Sequence, residues 1–312
     1  MIKSKALKKG SRIGLVAPSS PVTVDNGLER SIEVLKRQGF QVVVGESCSQ
    51  SYGYLSGSDE VRAADINKMF QDKSIDGIFC LKGGYGTPRI LDLLNYEEIK
   101  KNPKVFIGYS DITAIHVALN KICKLITFHG PMAASDMIGE FDNFSMESYF
   151  KAITIAEPLG ELSNPPGMDI KCMVKGKATG QVIGGNLSLL AATIGTPYEI
   201  DAKGKILFIE EISEATYRVD RMLTQLKLSG KLQECEGIII GNFRDCLPES
   251  EDFDLTLEEV FHDIILPLQK PTIFNFMAGH CTPKITVPMG VEGILDADCC
   301  KFTLIESALT TF

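Results

Sequence analysis

Residues 105–120, VFIGYSDITAIHVALN, decide how this chain folds. A short apolar run, Val105, Phe106 and Ile107, passes through Gly108-Tyr109-Ser110-Asp111 into a segment where Ile112, Ile115 and Leu119 recur at spacings of three and four. The run predicts a strand, and the spacing predicts a helix with one apolar face. A strand that turns sharply into a helix at Gly-x-Ser lifts the serine Oγ clear of the backbone, which is the geometry of a nucleophile elbow. The free N–H groups and partial positive charge of the helix end suit a developing oxyanion. The second glycine of G-x-S-x-G is absent here. The same residues also read as a plain helix cap, the commoner use of Ser and Asp.

Upstream, the same alternation repeats. Strands are predicted at residues 12–17 (RIGLVA), 40–44 and 75–81 (IDGIFCL). Helices are predicted at 26–38, closed by Gly39, at 59–70, and from Pro88 to Leu94. Apolar strands alternating with helices imply a parallel sheet covered on both faces. The turns at Gly83-Gly84 and at Ser110 then share the carboxyl edge of that sheet, where open α/β folds build their sites. This first domain is expected to close near Phe150. Residues 157–168 (EPLGELSNPPGM) are rich in Pro and Gly and read as a linker. Downstream, strands are predicted at 174–183, 205–209 (KILFI), 237–241 (GIIIG) and 272–276, with helices at 217–228 and 255–266 and short strands over 286–303. The fold class expected is α/β: residues 1–150 form a Rossmann-like domain with a parallel sheet, 151–172 join, and 173–312 form a smaller, β-rich α/β domain.

Composition narrows the function. The chain has 312 residues, 44% hydrophobic and 23% charged, with 32 basic against 40 acidic residues and a net charge of −8. An acidic chain without a strong basic block argues against nucleic acid and anionic membrane as partners. The basic, then briefly apolar, N-terminus has neither the apolar length nor the cleavage site of a signal peptide. Nine cysteines without CxxC pairing fit neither a disulfide framework nor a zinc site. A cytoplasmic protein is expected, with no metal.

A serine nucleophile needs a base, and the base needs an orienting group. Of four histidines, His262 falls in a helical pattern, His116 lies over a turn beyond Ser110, and His129 precedes Gly130-Pro131 at a strand end. His280, in the loop Gly279-His280-Cys281-Thr282-Pro283, is the best candidate, since functional residues concentrate in loops. Glu210-Glu211 directly follow the KILFI strand, and alternation lets at most one of them face a site. The Gly83-Gly84-Tyr85-Gly86 turn offers N–H groups but has neither P-loop nor dinucleotide spacing.

Eight segments in order resemble the LD-carboxypeptidase family of serine peptidases, which includes muropeptide LD-carboxypeptidases and microcin-immunity peptidases. They are VAPSSP, GYLSGSDEVRAAD, LKGGYGTPRIL, PKVFIGYSDITA, TFHGPM, GGNLSLLAATIGTPYEID, ILFIEEISEATYRVDRML and GH with TVPMG. The resemblance implies a Ser-Glu-His triad of Ser110, Glu210 and His280, and an oxyanion hole from the N–H groups of Gly84 and Asp111. It implies a homodimer without cofactor, cleaving the L,D bond to a C-terminal D-Ala of murein tetrapeptides in peptidoglycan recycling. A microcin-immunity type peptidase or amidase is the alternative within the family, and a two-domain small-molecule binding protein the alternative outside it. Lys82, before the glycine turn, stands where many relatives have arginine, which keeps the charge but not the bidentate fork.

Overall fold

Strand Val105–Gly108 is buried along its whole length and sits inside a six-stranded sheet. The computed structural model describes residues 1–250 and 253–311. Across that sheet the order is Val287–Met289, Thr127–His129, Val105–Gly108, Gly77–Cys80, Arg12–Val16 and Gln41–Val44. The last five are parallel, and the apolar inner strands Val105–Gly108 and Gly77–Cys80 are buried along their whole length. Helices Gly27–Arg37 and Asp59–Gln71 follow the predicted boundaries. The second of these starts where the Ser58 side chain accepts from the Val61 N–H.

The remaining strands form an eight-stranded mixed sheet. Its order is Pro158–Glu161, Lys301–Ser307, Glu292–Asp296, Lys177–Asn186, Ile206–Ile212, Gly237–Arg244, Thr272–Phe274 and Lys171–Val174. Four central strands, from Lys177–Asn186 to Thr272–Phe274, are parallel, and antiparallel strands flank them. The result is a parallel-sheet N-terminal part and a β-rich C-terminal part, the class expected. No helix among the described residues is long and apolar enough to cross a membrane.

Three local readings differ. Residues 157–168 are not all linker, because Pro158–Glu161 is an edge strand on Lys301–Ser307. Proline costs no ladder bond at such an edge, and Leu159 and Leu162 pack on the core. Residues Thr87–Leu93 form a 3₁₀ helix rather than an α-helix, with Thr87 and Ile90 buried one three-residue turn apart and Leu91 buried beside them. Helix Asn143–Thr154, capped by Asp142, runs straight through residue 150.

The two sheets are also sewn together. Val287–Met289 comes from the C-terminal third yet pairs antiparallel with Thr127–His129, and Ser4–Lys5 pairs with Leu309–Thr310. One buried apolar cluster accordingly includes Ile107 and Phe128 of one sheet, Phe208 and Ile239 of the other, and Ile285 and Val287 between them.

Candidate active site

From strand Val105–Gly108 the chain passes through an extended Tyr109 (φ −155°) and reaches Ser110 at φ 66°. A left-handed backbone at a residue with a Cβ costs about 1–2 kcal/mol, so the surroundings must hold it. They do so from three sides. Behind the turn, the fully buried His116 bonds the Gly108 carbonyl through Nε2 at 2.8 Å. Burial pushes the pKa of His116 down to about 3, only partly offset by that bond, so the ring is neutral and Nε2–H is the donor. Beside the turn, the Asp111 carboxylate accepts from Ser19 Oγ at 2.5 Å and from the Thr87 N–H at 2.9 Å. Burial pushes the Asp111 carboxyl up, and these bonds work against that. Asp111 thereby ties the serine turn to the glycine turn. The buried Arg62 guanidinium in turn fastens the glycine turn to the loop after strand Arg12–Val16, donating to the carbonyls of Pro18 and Gly86.

The glycine turn closes over the serine. A Cβ at Gly83 would lie 3.1 Å from Ser110 Oγ, so a side chain there would push the two turns apart by a few tenths of an ångström.

Strand Ile206–Ile212 delivers the acids, and alternation sends them to opposite faces. Glu211 turns away and accepts from Asn186 Nδ2, the Ser188 N–H and Ser188 Oγ at 2.7–2.8 Å. Glu210 is fully buried, and its Oε2 lies 2.6 Å from His280 Nδ1. Beside it, the register with strand Gly237–Arg244 shifts between Ile209 and Glu211, the kind of bulge that re-aims a side chain. The His280 loop crosses directly over the carboxylate. Gly279 there has φ 106°, and a Cβ on it would come 2.6 Å from Glu210 Oε2, so no other residue fits.

Burial alone would raise the pKa of Glu210. The charge and hydrogen bond of His280, with His129 close by, outweigh it and bring the carboxyl down to about 2. His129 enters from the other sheet, its Nε2 3.6 Å from Glu210 Oε1, both side chains almost wholly buried. At that distance the two are not hydrogen-bonded, and neither atom has a hydrogen-bond partner among the described residues.

Ser110 and His280 line one cleft of about 320 Å³, together with Lys82, Gly83, Gly84 and Tyr109. Glu210 lies beneath it. In the wall, Lys284 Nζ donates to Asp136 and to Tyr109 Oη and covers the Tyr109 ring at 4.2 Å. Tyr109 Oη also bonds Asp136 at 3.1 Å. Burial, then Asp136 and Glu210, push the Tyr109 phenol well up, so it stays protonated. Asp136 had no motif to announce it, and the contact of His129 with Glu210 is invisible along the chain. His262 is exposed beside Asp263, away from this constellation. A hydroxyl on a strained turn, an imidazole held by a buried carboxylate, and backbone N–H groups at two facing turns together suit acyl transfer.

Known proteins divide along the same line. Residues 13–130 match the family model of the LD-carboxypeptidase N-terminal domain, and residues 179–295 that of the C-terminal domain. A probable murein peptide carboxypeptidase of Bacillus subtilis is 40% identical over 300 residues, 94% of this chain and 91% of that one. The structure of the microcin C7 self-immunity protein MccF in complex with glutamyl sulfamoyl guanosine superposes at TM-score 0.92 with 27% identity, covering 99% of this chain and 100% of that one. The muramoyltetrapeptide carboxypeptidase from Oxalobacter formigenes superposes at 0.84 with 30% identity, covering 96% and 100%. Gly84 and Ser110 fall in the first matched segment, Glu210 and His280 in the second. By sequence and by fold, the chain belongs to the LD-carboxypeptidase family.

Proposed function

We propose that the protein is a serine LD-carboxypeptidase that removes the terminal D-alanine from murein tetrapeptides in peptidoglycan recycling. The observation that carries this reading is the 2.6 Å contact between Glu210 and His280 beside the cleft that Ser110 also lines. His280 Nδ1–H donates to Glu210, which leaves Nε2 to take the Ser110 proton. Ser110 Oγ attacks the carbonyl of the L,D bond. The N–H groups of Gly84 and Asp111 hold the oxyanion, each donor being worth about 3 kcal/mol. His280 then passes its proton to the leaving D-alanine amine, and an acyl ester remains on Ser110. Water, deprotonated by His280, attacks that ester, and the proton returns to Ser110 Oγ as the peptide departs.

Relatives named murein peptide and muramoyltetrapeptide carboxypeptidases support the substrate. The likeness to MccF supports a second reading, cleavage of an acyl sulfamoyl nucleotide. Stacking of a base would favour it, but the chain has no Trp, and the Tyr109 ring is already covered by Lys284. In our reading the part before helix Asn143–Thr154 bears the nucleophile and the part after residue 172 supplies acid and base, with the segment between them joining the two while adding an edge strand. Nine free cysteines suit a reducing cytoplasm, and a homodimer follows from the family resemblance.

The test is release of D-alanine from a tetrapeptide, beside hydrolysis of a glutamyl sulfamoyl nucleoside. Ser110→Ala and His280→Ala are expected to lower turnover at least about 10³-fold. Near wild-type turnover in both variants would remove the assignment. Tight binding of peptide without turnover, with Ser110 inert to a serine-directed inhibitor, would point to a binding protein instead.

A further inference from the structure

Among the described residues, the cleft beside Ser110 is lined by three cations, Lys82, Arg244 and Lys284. Two are already engaged by carboxylates. Lys284 is buried against Asp136 and Tyr109. Arg244, with its side chain 58% exposed, lies 3.3 Å from Asp245. Lys82 has no acid within ion-pair reach among the described residues. Its Nζ touches only the Pro21 carbonyl, at 3.4 Å, and the residue is half-buried. An ammonium has three protons to donate, so a partly desolvated one with a single long contact retains most of its capacity for an anion.

Position gives that capacity a use. Lys82 directly precedes Gly83, which packs against Ser110 Oγ. In a carboxypeptidase substrate, the terminal carboxylate belongs to the residue just beyond the scissile carbonyl, about 3.8 Å on from Cα to Cα. The anion and the attacked carbon must therefore be held in one cleft, and Lys82 and Ser110 line the same one. The chain as a whole carries a net charge of −8, so the field that draws in a carboxylate has to be local.

Resting on the peptidase reading above, we propose that Lys82 binds the terminal carboxylate of the substrate and so restricts cleavage to the last peptide bond. The experiment compares two tetrapeptides that differ only at the C-terminus, one a free acid and one a carboxamide, using the full-length protein. The wild type is expected to favour the acid by about 10- to 100-fold in kcat/KM, the range of a charged hydrogen bond. Lys82→Met reduces that preference to within about threefold, chiefly through KM, while Lys82→Arg keeps most of it. Each ratio is read within one preparation, so partial unfolding cancels. An unchanged ratio in Lys82→Met, equal losses on both peptides, or a wild type indifferent to the amide overturns the role of Lys82 alone. A wild type that releases no D-alanine from the free acid overturns the peptidase reading and this inference with it.

Discussion

Glu210 and Glu211 are adjacent in sequence and serve opposite faces of one strand, because successive side chains of a strand point to opposite sides. Glu210 meets His280, while Glu211 fastens Asn186 and Ser188 at the start of the following helix. Exchanging each for its amide separates the two uses. Glu210→Gln cannot hold the imidazole in the same tautomer, and kcat is expected to fall about 10³- to 10⁴-fold. Glu211→Gln should keep turnover within about tenfold and lose about 1–3 kcal/mol of stability, the cost of weakening buried bonds. Steady-state kinetics and urea unfolding on the pair give both readouts, and loss of turnover only in Glu211→Gln would reverse the assignment. At this scale much of the constellation is legible in the chain, since Ser110, Glu210 and His280 each end a strand or sit in a loop between strand-like segments. His129 is not, because its approach to Glu210 crosses from one sheet to the other and leaves no local pattern.

The helix that starts at the serine turn is short: Thr113–Ala118 follows the 3₁₀ turn Ser110–Ile112 and passes into a π-helical stretch, Leu119–Cys123. Its attachment to strand Val105–Gly108 depends on neutral His116 donating to the Gly108 carbonyl. Burial lowers the pKa of this group from 6.5 to about 3. In the unfolded chain it gains a proton below about pH 6.5, whereas the native protein resists doing so. The native state is therefore destabilised as pH falls from 6.5 toward 3, with no further loss from this group below 3. Between pH 6.5 and 4.5 the wild type should lose about 2–3 kcal/mol more than His116→Gln, at 1.36 kcal/mol per pKa unit. The glutamine amide can still reach the carbonyl but does not titrate. Equal pH slopes in urea unfolding of the two proteins would show that His116 does not set this dependence. Helical spacing located this element in the sequence, but periodicity says nothing about which polar side chain anchors it.

At the scale of the whole molecule, the two sheets cannot be separated cleanly. Strand Val287–Met289 covers the edge of Thr127–His129, and Ile285, Val287 and Met289 fill the cluster shared with Phe128 and Phe208. A fragment of residues 1–150 would expose that edge and that apolar surface, and it would cut helix Asn143–Thr154 short. Such a fragment is expected to bind a hydrophobic dye and to show poor amide dispersion in NMR. The full chain should unfold in one transition, with far-UV dichroism and tyrosine fluorescence coinciding. A stable, well-dispersed fragment would mean that the shared strand contributes little. The pairing also has a consequence for the site, because His129 at the end of one sheet and Glu210 at the end of the other are held on either side of the same packed joint.

The sequence by itself determined the α/β class, the parallel core of the first sheet, the sharp serine turn, and a short set of candidates for acid and base, one of the pair Glu210-Glu211 with His280. These rest on local signals: apolar runs, helical spacing, glycine turns, and motifs of a dozen residues or fewer. Only the tertiary structure decided that the second glutamate turns away from the cleft, that a strand of the last third completes the first sheet, and that His129 looks onto Glu210. It also decided which of three cations in the cleft lacks a carboxylate partner among the described residues. Those outcomes depend on side chains that are tens to hundreds of residues apart and meet only when two twisted sheets pack. No short-range pattern in the chain encodes that distance.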